Sequence, residues 1–307
     1  MTGTILVLGA NGRFGHNAAN AFADAGWVVR KFDRKAGDLE AESRGADIIL
    51  NGWNPAYPDW ARQVPVLTRK VIAAARSSGA TVILPGNLYV FGVDADPMFG
   101  DESPHRAENP LGRIRRDMER AYRQSGVRTI ILRAGDFIDT RDSGNWFDMI
   151  LTKKIAKDVL NYPGKPDQSH AWAYLPDMAR AVVSLAEMRH RLEVFEDIAF
   201  PGYTLSGNQL CAALETVTGR LVRLEKMSYL PLWLASPFWP MARCLLEMRY
   251  LWLKPHFMDA RKFDALLPGF QPTPLSEALT LAIRDKIDPD KAVMRSGTAV
   301  RPDQRIA

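Results

Sequence analysis

The first half of the chain alternates short apolar runs with longer stretches whose apolar residues recur at helical spacing. The runs 4–9 (TILVLG), 27–32 (WVVRKF), 47–52 (DIILNG), 81–86 (TVILPG) and 128–135 (RTIILRAG) read as strands. Between them, 13–26 sets Phe14, Ala18, Ala21, Phe22 and Ala25 on one helical face and stops at Gly26, a usual helix terminator. Stretches at about 58–78 and 109–125 read as further helices. Strands alternating with helices of this length predict βαβ units, hence an α/β fold with a doubly wound parallel sheet and helices on both faces.

Beyond about residue 135 the rhythm changes. AWAYLPDMARAVVSLAEM (171–188) is a strand followed by a helix starting near Pro176, and 200–219 pairs a loop with another helix. Aromatic residues and prolines crowd 229–272. The division expected is a nucleotide domain over 1–175, with returning segments to about 200, and a smaller, mainly helical substrate lobe over 176–285. From Lys286 to residue 307 the chain is polar and patternless, and a disordered tail is expected.

One segment tests whether a membrane is involved. YLPLWLASPFWPMARCLLEM (229–248) nearly reaches the length of a membrane span. It holds Pro231, Pro237, Pro240, Arg243 and Glu247, which a lipid-exposed helix tolerates poorly. The expectation is a buried or cleft-lining helical pair, without membrane contact. Other partner classes are narrowed by composition. Forty basic against 35 acidic residues leave a mild +5, with no aromatic-basic platform, so no nucleic acid is expected. Two cysteines make no disulfide framework, and MTG leads straight into an apolar run, so a reducing cytoplasm is the expected compartment. The five histidines lack close ligand spacing, and no metal is expected.

The strongest chemical signal is VLGANGRFG. Gly9, Gly12 and Gly15 stand at three-residue spacing after a strand and at the opening of a helix. A pyrophosphate needs this: a sharp turn, close backbone approach, and a helix N-terminus with free amides. Asn11, Arg13 and Phe14 complete the turn. Asp33 ends the second strand 18 residues after Gly15, where an acid would meet the adenosine ribose, and Arg34 follows it. Aspartate disfavours a 2′-phosphate and arginine welcomes one, so NAD is favoured slightly and NADP stays open. Asp38 reaches the adenine side or is a solvated turn residue. Asn51, Gly52 and Trp53 end the third strand, where the cleft of such a fold opens.

This glycine spacing, with GWVVRKFDR, GADIILNG, YVFG and AYLPDMARA, resembles the extended and atypical short-chain dehydrogenase/reductase superfamily, in particular its NAD-dependent epimerase/dehydratase branch. The resemblance covers about residues 3–190. It implies a Rossmann domain binding NAD or NADP, a substrate lobe whose junction an aspartate at position 177 steadies, and dimers built through two helices, here 58–78 and 109–125. It also implies a proton-transfer set: a serine or threonine before the YG turn, then a tyrosine and a lysine four residues apart. Those positions fall on Asn87, Leu111 and Arg115. Leucine carries no proton, and arginine holds a ribose but shuttles protons poorly.

Substitutes are few. Tyr89 could act as the acid with Arg113 or Arg115 stabilising charge, or be an aromatic of the pocket wall. His105, in the polar loop DESPHRAENP, swings into a cleft or is solvated, and solvation is the favoured reading; His170 and Trp172, near Tyr174, are candidate substrate contacts. Asp136, Phe137 and Trp146 follow a strand end and border the pocket, as Trp53 does. Such walls suit a small, partly apolar carbonyl or hydroxyl compound. Two functions stay open: an NAD(P)-dependent oxidoreductase or epimerase with a non-standard proton route, and a catalytically silent NAD(P)-binding sensor or scaffold.

Overall fold

The computed structural model describes residues 3–35 and 37–287. Six parallel strands form the central sheet: β1 (Thr4–Leu8), β2 (Val28–Lys31), β3 (Ile48–Asn51), β4 (Thr81–Gly86), β6 (Thr129–Arg133) and β10 (Phe195–Ala199). They lie in the order β10-β6-β4-β3-β1-β2. Helices α1 (Arg13–Asp24) and α5 (Leu175–Glu187) pack together on one face. Helices α2 (Leu39–Glu42), α3 (Trp60–Ser78) and α4 (Pro110–Ser125) cover the other. Because both faces are covered, the middles of the interior strands run apolar without alternation: Ile5 to Leu8 and Ile48 to Leu50 are wholly buried. This is the doubly wound α/β fold that the apolar pattern predicts.

The chain lays β2 on one side of β1 and then crosses back to lay β3 on the other. That reversal opens a crevice beyond the carboxyl ends of β1 and β3, the place where such sheets take ligands.

The strand β10 escaped the sequence pattern. Its residues FEDIA bring Glu196 and Asp197 into the interior, and both are buried. Arg133, fully buried, donates to Asp197 at 3.1 and 2.6 Å and to Glu119 at 2.7 Å, while Lys262 Nζ lies 2.7 Å from Glu196. Carboxylates survive burial only when paired in this way. Arg133 keeps its proton all the more firmly beside two anions, even though burial opposes the charge.

Smaller sheets build the rest. β7 (Asp136–Ile138), β9 (Ser169–Tyr174) and β11 (Tyr203–Ser206) form one, β8 (Val159–Tyr162) pairs with β12 (Arg223–Lys226), and β5 (Met98–Phe99) pairs with β13 (Phe257–Met258). Helices α6 (Gly207–Thr218) and α11 (Leu275–Ile287) share an apolar core with these strands, and α10 (Arg261–Leu266) packs on β10. Asp177, in the first turn of α5, accepts from the Thr273 backbone N–H at 2.7 Å and its hydroxyl at 2.6 Å. The start of α5 is thereby tied to the segment leading into α11.

Two expectations change. Helices α7 (Leu230–Ala235), α8 (Pro240–Glu247) and α9 (Tyr250–Leu253) do form in the 229–248 region and just after it. The expected burial does not follow: Leu230, Trp233, Leu234, Phe238 and Trp239 are all exposed, and α7 buries no residue fully. Prolines at 231, 237 and 240 cut the run into helices of one or two turns, too short to lay a full apolar stripe against the body. No helix among the described residues is long and apolar enough to cross a membrane. Second, α11 continues through Lys286 and Ile287, so the polar stretch expected from Lys286 starts later. Lys286 Nζ donates to the Asp148 carbonyl at 3.0 Å and pairs with Asp142 at 2.8 Å. The remainder of that expected tail, 288–307, lies outside the described residues.

Candidate active site

The glycine turn is built to the closeness that a ligand-cradling backbone requires. Gly9 adopts φ +76°, a left-handed conformation that side chains resist. A Cβ on Gly15 would stand 2.3 Å from the Gly9 carbonyl oxygen, and one on Gly52 would stand 2.8 Å from that of Leu8. The three backbones therefore meet at the switch point of the sheet. Gly12 caps α1 with no side-chain hydrogen bond, which leaves the first amides of the helix for an anion. Asn11 and Gly12 are exposed at the tip, while Phe14 is buried under it. Arg13 crosses to the loop after β7, where its guanidinium donates to the carbonyls of Ser143 (3.0 Å) and Gly144. From that loop Arg141 returns to the Asn11 carbonyl at 3.4 Å. Two guanidiniums thus flank the turn, and nothing in the sequence pattern marked Arg141.

Beyond the end of β2 a cavity of about 290 Å³ opens between Arg34, Asp38, Trp53 and Lys70. The Arg34 guanidinium lies 4.6 Å over the Trp53 ring, and Phe32 meets the same ring edge-on. Asp33 is exposed and accepts from the Lys35 backbone N–H at 2.9 Å. Asp38 caps α2 through the Glu40 N–H, so its carboxylate is a helix cap at the cavity wall. Asn51 bridges Tyr122 (3.0 Å) and the Trp53 N–H (3.3 Å), which fixes the end of β3.

The start of α4 is of another kind. Leu111 is buried, and its N–H donates at 2.7 Å to a Glu247 carboxylate oxygen that Asn109 also reaches. A carboxylate from α8 thus caps α4. Gly112 lets this helix approach the turn carrying Tyr89; a Cβ there would come 2.7 Å from the Tyr89 carbonyl. Arg115 is buried as well. It donates to the Pro85 carbonyl at 3.3 Å, lies 5.1 Å over Trp60, and its Nε has no partner among the described residues. Burial pushes its pKa down, with Glu119 and Tyr89 opposing, but a guanidinium stays charged.

Asn87, expected in the serine position, turns its carboxamide back on its own chain and accepts from the Tyr89 N–H at 3.1 Å. The Tyr89 hydroxyl shares a 2.6 Å hydrogen bond with that of Tyr57. Burial above all, then the neighbouring Tyr57 and Asp136, raises the Tyr89 pKa well above the ordinary phenol value. Tyr89 therefore holds its proton and serves as a hydrogen-bond donor or as wall; it makes a poor base.

Asp136 stands at the mouth of β7. Its Oδ2 lies 2.8 Å from His170 Nε2, and its charge reaches both Tyr57 and Tyr89. His170 is sealed off: it stacks on Trp252 at 4.2 Å and meets His256 at 4.4 Å. It backs Asp136 from within this aromatic enclosure. Trp172 is likewise only 1% exposed and belongs to the core of the smaller sheets. Phe137 and Trp146 are half-buried, Phe137 against the α1–α5 core and Trp146 against Trp252 at 5.3 Å. His105 is no solvated loop residue; it reaches Glu119 at 3.6 Å and Asp197 at 3.5 Å. These three donors converge, but Arg133 already bonds both carboxylates. Trp252 and His256 gave no sequence signal, because their contacts come from β9 and β5, far away in the chain.

No family model matches the chain, and no curated protein sequence matches it. Solved structures do. Over 93% of this chain and 99% of its own, UDP-glucose 4-epimerase from Brucella ovis, in complex with NAD, superposes with a TM-score of 0.71 at 18% identity. MoeE5, in complex with UDP-glucuronic acid and NAD, covers 96% of this chain and 100% of its own at 0.72 and 17%. TunA, an NAD-dependent NDP-hexosamine 5,6-dehydratase, covers 92% and 97% at 0.69 and 14%. At such identities the likeness establishes architecture, and the chain has the Rossmann-type fold of NAD-dependent sugar epimerases and dehydratases.

Proposed function

We propose that the protein binds a nicotinamide dinucleotide across the Gly9–Gly15 turn and catalyses oxidation, reduction or epimerisation of a small hydroxyl or carbonyl compound. The observation that carries this reading is the glycine cradle at the switch point, which any Cβ would fill; Asp136, backed by a buried histidine, offers a carboxylate for the chemistry. The residues fit the cofactor. The α1 amides with Arg13 and Arg141 would hold the pyrophosphate, and the Arg34–Trp53 cavity the adenosine. The cavity sets Arg34 and Lys70 against Asp38 and Glu40, and fold neighbours are solved with NAD, so NAD is the favoured form.

Bound nicotinamide supplies the hydride acceptor or donor. The chain's own part is the proton. Asp136 takes the proton of a substrate hydroxyl as the carbonyl forms and returns it in the reverse direction. His170 holds the carboxylate in place, and the Tyr57–Tyr89 pair offers a hydroxyl donor to the substrate oxygen. Arg115 contributes positive charge beneath the cleft and no proton. The aromatic wall of Tyr57, Tyr89 and Trp146 suits a substrate with an apolar face.

The test is single-turnover hydride transfer with NAD⁺ or NADH over a panel of uncharged carbonyl and hydroxyl compounds and nucleotide-diphosphate sugars. Asp136→Asn should lower the rate about 10²- to 10⁴-fold and leave cofactor affinity unchanged. The rival reading, a silent nucleotide sensor, is favoured by the buried Leu111 in the tyrosine position. It predicts tight cofactor binding with no hydride exchange anywhere in the panel.

A further inference from the structure

Helices α7 and α8 and the turn between them present five large apolar side chains to solvent within ten residues. Phe238 is 90% exposed and Leu234 70%, and Leu230, Trp233 and Trp239 join them. Single exposed apolar residues are ordinary, but a group of this density marks an interaction face. Its charge narrows the partner. Of the four basic residues in 226–254, Lys226 and Arg243 are exposed, while Arg249 lies over the Tyr229 ring and Lys254 donates to the Val93 carbonyl beside Asp94 and Asp96. The Glu247 carboxylate is engaged by the start of α4, so the outward charge is that of Lys226 and Arg243. Arg243 is exposed and has no ion pair among the described residues.

We propose that this face docks on an anionic bilayer surface. Tryptophan rings settle at the headgroup level, leucine and phenylalanine side chains reach the acyl boundary, and basic residues attract acidic headgroups. A second copy of the chain would bring the same positive charge against itself, which disfavours self-association through this face. Helix α8 also packs against the turn Tyr57–Asp59, so the docking face adjoins the cleft. The inference departs from the sequence expectation of no membrane contact and stands independently of the proposed chemistry.

The experiment is co-sedimentation of the full chain with phosphatidylcholine vesicles and with vesicles of phosphatidylcholine and phosphatidylglycerol in equal parts. Binding to the mixed vesicles, weakened by salt, is expected. The double variant Leu234→Glu, Phe238→Glu should lower partitioning at least about a hundredfold, and Arg243→Glu about fivefold. These side chains face solvent, so an unchanged thermal midpoint and secondary structure verify that the variants fold. Wild-type protein that stays in the supernatant with mixed vesicles overturns the proposal, as does vesicle binding that the double variant leaves unchanged. A dimer seen by light scattering, dissolved by the double variant and without vesicle binding, overturns it in favour of a second copy.

Discussion

The glycine turn and the start of α4 are opposites: one is held open and the other is filled. At the turn, Gly9, Gly15 and Gly52 bring three backbones so close that no side chain fits, and α1 begins without a side-chain cap. At α4 the positions that would carry a proton-transfer pair hold Leu111 and Arg115, both buried, with the helix start capped by Glu247. The difference teaches that one end of this fold is kept clear while another is given over to packing, so the proposed function needs its proton-transfer group elsewhere. Asp136, 2.8 Å from His170, is the group proposed.

The comparison can be broken from either side. Gly15→Val should cost the most: its side chain would drive into the Gly9 carbonyl, and cofactor affinity should fall about a thousandfold by calorimetric titration. Leu111→Ala should do the opposite. It should cost about 2–3 kcal/mol of stability in denaturant unfolding through the cavity it leaves, with cofactor affinity unchanged. An affinity loss in Leu111→Ala would return α4 to the binding machinery.

The smallest effect concerns what supports Asp136. Burial pushes the pKa of His256 down from 6.5 to about 3, with His170 and Lys254 adding to the shift and the Lys254 carbonyl opposing it. The unfolded chain takes up a proton here below 6.5 that the folded chain refuses. Stability therefore falls with pH in that window, by at most about 1.4 kcal/mol per pH unit. His256→Gln should flatten the thermal midpoint against pH in the upper part of that window, above the carboxylate range. An unchanged slope would show that His256 is not the titrating group.

What the sequence made legible follows from where the information lies. The strands β1, β3 and β4, the helices α1 and α4 and the glycine turn are local patterns of apolar residues and glycines, so periodicity finds them. Strand β10 escaped because its Glu196 and Asp197 read as surface residues until Lys262 and Arg133 are seen to hold them. His105 was misread for the same reason, since its partners Glu119 and Asp197 come from other elements. The 229–248 segment failed in the reverse sense: its apolar content suggested burial, but the prolines keep its helices short and leave the side chains outside. At the site, Asp136 was legible as a strand-end residue, whereas its bond to His170 was not. That bond follows from the pairing of β7 with β9, and no spacing in the sequence encodes it.

The central claim is that the turn holds a nicotinamide dinucleotide. Calorimetric titration of the wild-type protein and Gly15→Val with NAD⁺, NADH, NADP⁺ and NADPH tests it most directly. The account predicts saturable binding of at least one of the four, tightest for NAD⁺ or NADH, and its loss in the variant. No binding of any of the four to the wild-type protein, or equal binding to the variant, would contradict it.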